Sequence, residues 1–177
     1  AIVYWNQTGT LAGKTLSFPS SNGRIYLNTA NASLTLTGAN ASGALNLYSD
    51  TFSAGTALTT AGTFTHTSNN SGAMYARTFN NSGTITNTST SGSLSLGTNT
   101  SGYTSNNTGT IAVDGGTGAI VYLDGAFNNT GGILDATSGS LQLRGSTTNA
   151  NLNGGTTNVT GGHVDLAGTI INSGSIK

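Results

Sequence analysis

The sequence predicts an all-β chain of one domain, residues 1–177, wound as a parallel β-solenoid of about 20 residues per coil. Three observations lead there. Glycines that open apolar runs recur at Gly23, Gly43, Gly62, Gly83 and Gly102, in steps of 20, 19, 21 and 19 residues. A near-constant period of this size marks stacked repeats. Apolar residues alternate with Thr, Asn and Ser inside short runs, so one face of each strand points to an interior. Charged residues are only 6% of the 177, which suits parallel stacking, because a column of like charges repels. An antiparallel β-sandwich is the alternative, since closely spaced short strands also suit that fold. Turn tetrapeptides that match at both one and two strand spacings favour the solenoid.

Residues 1–23 open with an apolar strand from Ala1 to Trp5, a turn around Gly9 and Gly13, and a strand from Thr15 to Phe18. Pro19 ends that strand, because it has no N–H to give a ladder. From Gly23 each coil supplies two apolar strands. The first carries Ile25 and Leu27, then Leu45 and Leu47, then Phe64, then Ile85. The second carries Leu34 and Leu36, then Leu58, then Met74, then Leu94 and Leu96. The turns echo one another as Asn69-Asn-Ser-Gly72, Asn80-Asn-Ser-Gly83, Asn106-Asn-Thr-Gly109 and Asn128-Asn-Thr-Gly131. Asn and Gly accept positive-φ turns. Asn at equivalent turns of successive coils is expected to stack and bond through its amides. After Gly102 the period loosens, with strands from Thr110 to Val113, Ala119 to Leu123, Ile133 to Leu134, Ser140 to Leu143, His163 to Leu166 and Thr169 to Ile171. No stretch carries a helical amphipathic period.

The formal net charge is zero. Nucleic acid demands Lys and Arg to neutralise phosphates, so no nucleic-acid partner is expected. Nor is a polybasic membrane contact expected, and no apolar run is long enough for membrane insertion as a helix. The absence of Cys fits a reducing cytosol, and equally a secreted bacterial protein that does not rely on disulfides. The opening Ala1-Ile-Val-Tyr-Trp5 has no Met and no signal-like region, and reads as a processed or excised chain.

The runs Asn81-Ser-Gly-Thr-Ile-Thr-Asn87 and Thr169-Ile-Ile-Asn-Ser-Gly-Ser-Ile176 resemble the degenerate repeats of bacterial filamentous-haemagglutinin and autotransporter passengers. In composition the resemblance covers nearly the whole chain, which is short for that family. It implies a right-handed parallel β-helix, a secreted, extracellular place on the bacterial cell surface, and a non-enzymatic structural or adhesive role.

Asp114, Asp124 and Asp135 fall 10 and 11 residues apart. On a coil of about 20 residues Asp114 and Asp135 would share a column, and paired carboxylates perform acid–base work on glycosidic bonds. They also stand in polar turns beside Gly115 and Gly125, and the turn reading is preferred, so no enzyme and no catalytic residue is expected. Asp124 and Arg144 are expected to pair across coils. Gly115-Gly-Thr-Gly118 resembles the start of a calcium-binding nonapeptide, but Ile120 stands where the motif needs Asp. His66 and His163 have no second ligand nearby, so neither metal nor cofactor is expected. Thr35-Leu-Thr37, Thr63-Phe-Thr65 and Thr84-Ile-Thr86 suggest a flat face of the ice-binding kind, although the motif skips coils. A carbohydrate-binding or polysaccharide-cleaving β-helix is the other alternative, with surface glycans as partners.

Solenoid ends expose unpaired ladder groups and apolar interior unless capped. Ile2, Val3, Tyr4 and Trp5 at one end, and Ile170, Ile171 and Ile176 at the other, are the expected subunit interface. The partner is then a second copy of the chain, stacked head to tail into an open filament.

Overall fold

The computed structural model describes residues 2–19, 22–49, 54–144, 150–152, 154–167, 170–171 and 175–177. Every strand pairing among them is parallel, and no helix is present among them. This excludes the antiparallel sandwich and makes the chain a β-solenoid.

Each lap carries three strand segments, not the two read from the sequence. The first segments stack into an eight-stranded sheet that runs from Ile2–Trp5 and Arg24–Leu27 to Ser140–Arg144 and His163–Ala167. The second and third segments, such as Thr78–Asn81 and Thr84–Asn87, make two further faces. In two early laps these segments run on without a break, as Ser33–Gly43 and Ala57–His66. The two faces thereby join into one fourteen-stranded sheet. At a strand spacing of about 4.8 Å the rod is roughly 35 Å long.

The lap averages about 23 residues rather than 20. Ile25 registers with Leu47, Leu94 with Val121, and Val121 with Leu141, at separations of 22, 27 and 20 residues. Corners of unequal length absorb the difference. The glycines that recur in space are Gly62, Gly83, Gly109, Gly132 and Gly155, each pressed on the lap before it. A Cβ on Gly83 would strike the Gly62 carbonyl oxygen, and one on Gly109 the Gly83 oxygen. Thr110, directly after Gly109, donates its N–H to that same Gly83 oxygen at 2.9 Å. Gly102 belongs to a different corner, beside the Arg77 guanidinium.

The apolar alternation buries as expected, but the columns regroup: Met74 and Leu96, read as second strands, join Ile25, while Phe64 and Ile85, read as first strands, leave it. Ile25, Leu47, Met74, Leu96, Leu123 and Leu143 form one inward column. Phe64, Ile85, Ile111 and Leu134 form another. All ten are buried, and each such side chain contributes about 1.5–3 kcal/mol.

Two asparagine ladders run up the corner between the second and third segments. Asn81, Asn107 and Asn129 are buried and point inward. The Asn81 amide donates to Asn107 Oδ1 at 2.7 Å, and the Asn107 amide to Asn129 Oδ1 at 2.7 Å. The Thr60 hydroxyl starts the column by donating to Asn81 Oδ1 at 2.9 Å. Outside it, the Asn106 amide donates to Asn80 Oδ1 at 2.9 Å and that of Asn128 to Asn106 Oδ1 at 3.4 Å. Three of the four echoed turns thus stack. Asn69 belongs to neither ladder; its Oδ1 accepts from the Thr90 and Ser91 N–H groups of the next lap.

Candidate functional site

The outer face of the eight-stranded sheet carries an aromatic stripe. Alternation sends Ile25 and Leu27 inward, so Arg24 and Tyr26 point out. Parallel register then puts Tyr4, Tyr26, Tyr48 and Tyr75 above one another. Their ring centroids are 6.0, 5.4 and 5.2 Å apart, the first two pairs edge-to-face and the third stacked. Tyr103, from a corner, extends the line at 6.4 Å from Tyr75. Such pairs contribute about 0.5–1.5 kcal/mol each beyond area burial.

All three arginines lie against tyrosines, two of them in this stripe and the third, Tyr122, opposite Gln142 on the same sheet. Arg24 stands 5.9 Å from the Tyr48 centroid, Arg77 4.6 Å from Tyr103, and Arg144 3.3 Å from Tyr122. Arg144 also grips Asp124 through both carboxylate oxygens at 3.0 Å, the cross-lap pair expected from their spacing. Next to it, Ser140, Gln142, His163 and Asp165 meet on two neighbouring strands. Ser140 Oγ donates to Asp165 Oδ2 at 3.3 Å, while His163 Nε2 is 3.7 Å from that same oxygen. The carboxylate sits between hydroxyl and imidazole, so the imidazole is not placed to take the serine proton.

Asp114 and Asp135 do not share a column. Asp135 registers with Ala112 and Asn158, whereas Asp114 follows Val113, which registers with Ala136. The longer lap is the reason. Among the described residues no three His, Cys, Asp or Glu side chains gather as a metal site.

The threonines align better than the sequence indicated. Thr63, Thr84 and Thr110 form one outward column, and Thr65 and Thr86 its neighbour. Ala112, Ile133 and Asp135 then interrupt both. Thr35 and Thr37 lie on the face before, above Thr10 and Ala12.

His66 is fully buried. Its Nδ1 accepts the Leu45 N–H at 3.3 Å, and its Nε2 donates to the Asn70 carbonyl at 2.9 Å. Burial pushes the imidazole below its ordinary value and outweighs the Asn70 and Ser68 backbone bonds, which pull upward. The native ring therefore stays neutral where an unfolded one, titrating near 6.5, takes a proton. Stability from this site is complete above about pH 6.5 and is lost as the pH falls through the lowered native value. Urea unfolding at pH 7.5 and pH 5 should show the loss, at no more than about 1.4 kcal/mol per pH unit. His66→Gln, which keeps one donor and one acceptor, should remove this component of the slope. An equal slope in that variant would place the acid sensitivity elsewhere.

The two terminal laps are open-edged. Among the described residues Ile2–Trp5 is the outermost strand of its sheet and pairs only with Arg24–Leu27. Ile2, Val3 and Tyr4 are 48%, 52% and 57% exposed. Trp5 is half-buried against the core, its Nε1 donating to the Ser33 carbonyl at 3.0 Å. At the other end Leu166 is 46% exposed on the last strand, His163–Ala167. Ile170, Ile171 and Ile176 fall on the outermost segments of their faces, Ile170–Ile171 and Ser175–Ile176; their side chains lie outside the description. Among the described residues no strand covers either edge. No family model, no curated protein and no solved structure matches the chain.

Proposed function

We propose that the chain is a non-enzymatic structural rod of the secreted bacterial surface, extended along its axis by strand pairing between copies. One observation carries this reading. The inward column through Ile25 and Leu143 begins at Val3 and ends at Leu166, and both end members are exposed. A following copy continues the column by seating its Val3 on Leu166, with its Leu16 on the column that ends at Ile176. The contact is heterologous and does not close, so it grows a filament. Exposed edges of this kind pair with further strands unless guarded. The surface location rests on the resemblance of residues 81–87 and 169–176 to passenger repeats.

Negative-stain microscopy and sedimentation of the purified chain test it. Wild type should form rods longer than one subunit, in proportion to concentration. Val3→Asp with Leu166→Asp opposes two carboxylates in the seam and should leave monomers with an unchanged circular dichroism spectrum. A monomeric wild type at every concentration overturns self-stacking.

A further inference from the structure

Arg24 stands near the head of the tyrosine stripe, without a counter-ion among the described residues. One guanidinium nitrogen donates to the Tyr48 hydroxyl at 2.7 Å, and its Nε is buried with no hydrogen-bond partner. Arg144 on the same face is held by a carboxylate, but among the described residues none pairs with Arg24. A half-buried cation without an acid is costly unless something supplies one. Ile2, Tyr4, Arg24, Tyr26 and Tyr48 line an open cleft of about 390 Å³, within the size range of small-ligand sites.

We propose that this cleft binds an acidic sugar, its carboxylate on Arg24 and the C–H face of its ring against Tyr4. With Nε buried out of a ligand's reach, Nη1 and Nη2 are the pair that meets a carboxylate in two parallel bonds. One cation suits a monoanion, and the cleft lining has no second cation to suit a phosphate dianion. Tyrosines offer a flat apolar body for the sugar ring and a hydroxyl for its polar rim. Tyr4, at 57% exposed, has the most open ring of the stripe's first three. Ile2 and Tyr4 belong to outward columns, so a copy added at the edge pairs beside them; seating Val3 on Leu166 then sets the neighbouring copy's Asp165 next to Ile2, so binding is measured on monomers.

The test is titration calorimetry of the purified chain with trigalacturonate and with 3′-sialyllactose, each against its neutral methyl ester. At least one acid should bind, and its ester about tenfold more weakly, because a charged hydrogen bond is lost. Arg24→Gln should weaken the acid about tenfold and abolish the preference over the ester. Arg24→Lys, which keeps the charge but not the fork, should fall between. Tyr4→Ala should weaken acid and ester alike. Arg144→Gln, on the pair already closed by Asp124, should bind as wild type does. Melting curves confirm that each variant is folded. Binding of neither acid, equal binding of acid and ester, or undiminished binding by a folded Arg24→Gln overturns the site. The titrations are run at a concentration where sedimentation shows monomers, so none of these results depends on whether the chain forms filaments.

Discussion

Asn107→Ala should destabilise the protein by about 3–5 kcal/mol, the largest effect expected of any single polar side chain here. Asn107 is the middle rung of the inner ladder. Its amide donates to Asn129 Oδ1 at 2.7 Å and to the Gly109 and Ile133 carbonyls at 3.1 and 3.3 Å, and its oxygen takes the Asn81 amide. Alanine removes donor and acceptor together and strands those partners where water does not reach. Asn107→Asp should be no better at neutral pH, since a carboxylate accepts only, and would face three acceptors. Asn106→Ala, one residue earlier on the half-buried outer ladder, should cost less than about 1 kcal/mol, because solvent replaces its partners. Urea unfolding of the three variants reads the differences. If Asn106→Ala and Asn107→Ala prove equivalent, the inner ladder is decoration rather than framework.

Gly109→Ala should cost about 3 kcal/mol or more, through a collision rather than a torsion. Its φ is not in the left-handed region. A methyl there meets the Gly83 carbonyl oxygen and the Ser82 and Gly83 backbone behind it. Backbone cannot turn aside as a side chain can, so the laps must part and the Thr110 bond to Gly83 must lengthen. Gly131→Ala is the contrast: φ is +78° with nothing within 4 Å of the new methyl, so it bears only a torsional cost of about 1–2 kcal/mol. Calorimetric melting of both should rank Gly109→Ala well below Gly131→Ala. The reverse order would mean that lap spacing is softer than the packed glycine column implies.

The interior was legible in the sequence because alternation is a local property. Ile25 with Leu27, Leu45 with Leu47, Phe64 and Ile85 declare their facing without knowledge of the lap. Lap length was not local. Gly43, Gly62 and Gly83 hold a near-constant step in sequence, but Gly43 registers with His66 and not with Gly62, Gly102 sits at another corner, and the spatial successor of Gly83 is Gly109. Fixing the lap at 20 residues mispaired Asp114 with Asp135, and it concealed the tyrosines, whose true steps from Tyr26 to Tyr48 to Tyr75 are 22 and 27. The Asn doublets were visible, but which member points inward depends on strand phase. Ser140, His163 and Asp165 were unreadable as a group, because register alone brings them together.

The ladder bonds of every face run lengthwise, from each lap to the next. A pull applied to the two ends therefore meets them one after another, as the teeth of a zip part, instead of sharing the load across a sheared sheet. A freed lap of about 23 residues gives roughly 75 Å of slack, against about 4.8 Å while wound. Because each lap leans only on its neighbours, the rest stay coiled while one yields. A chain so wound stretches in discrete steps at near-constant force, a compliance that the proposed surface rod would bring to any load along its axis.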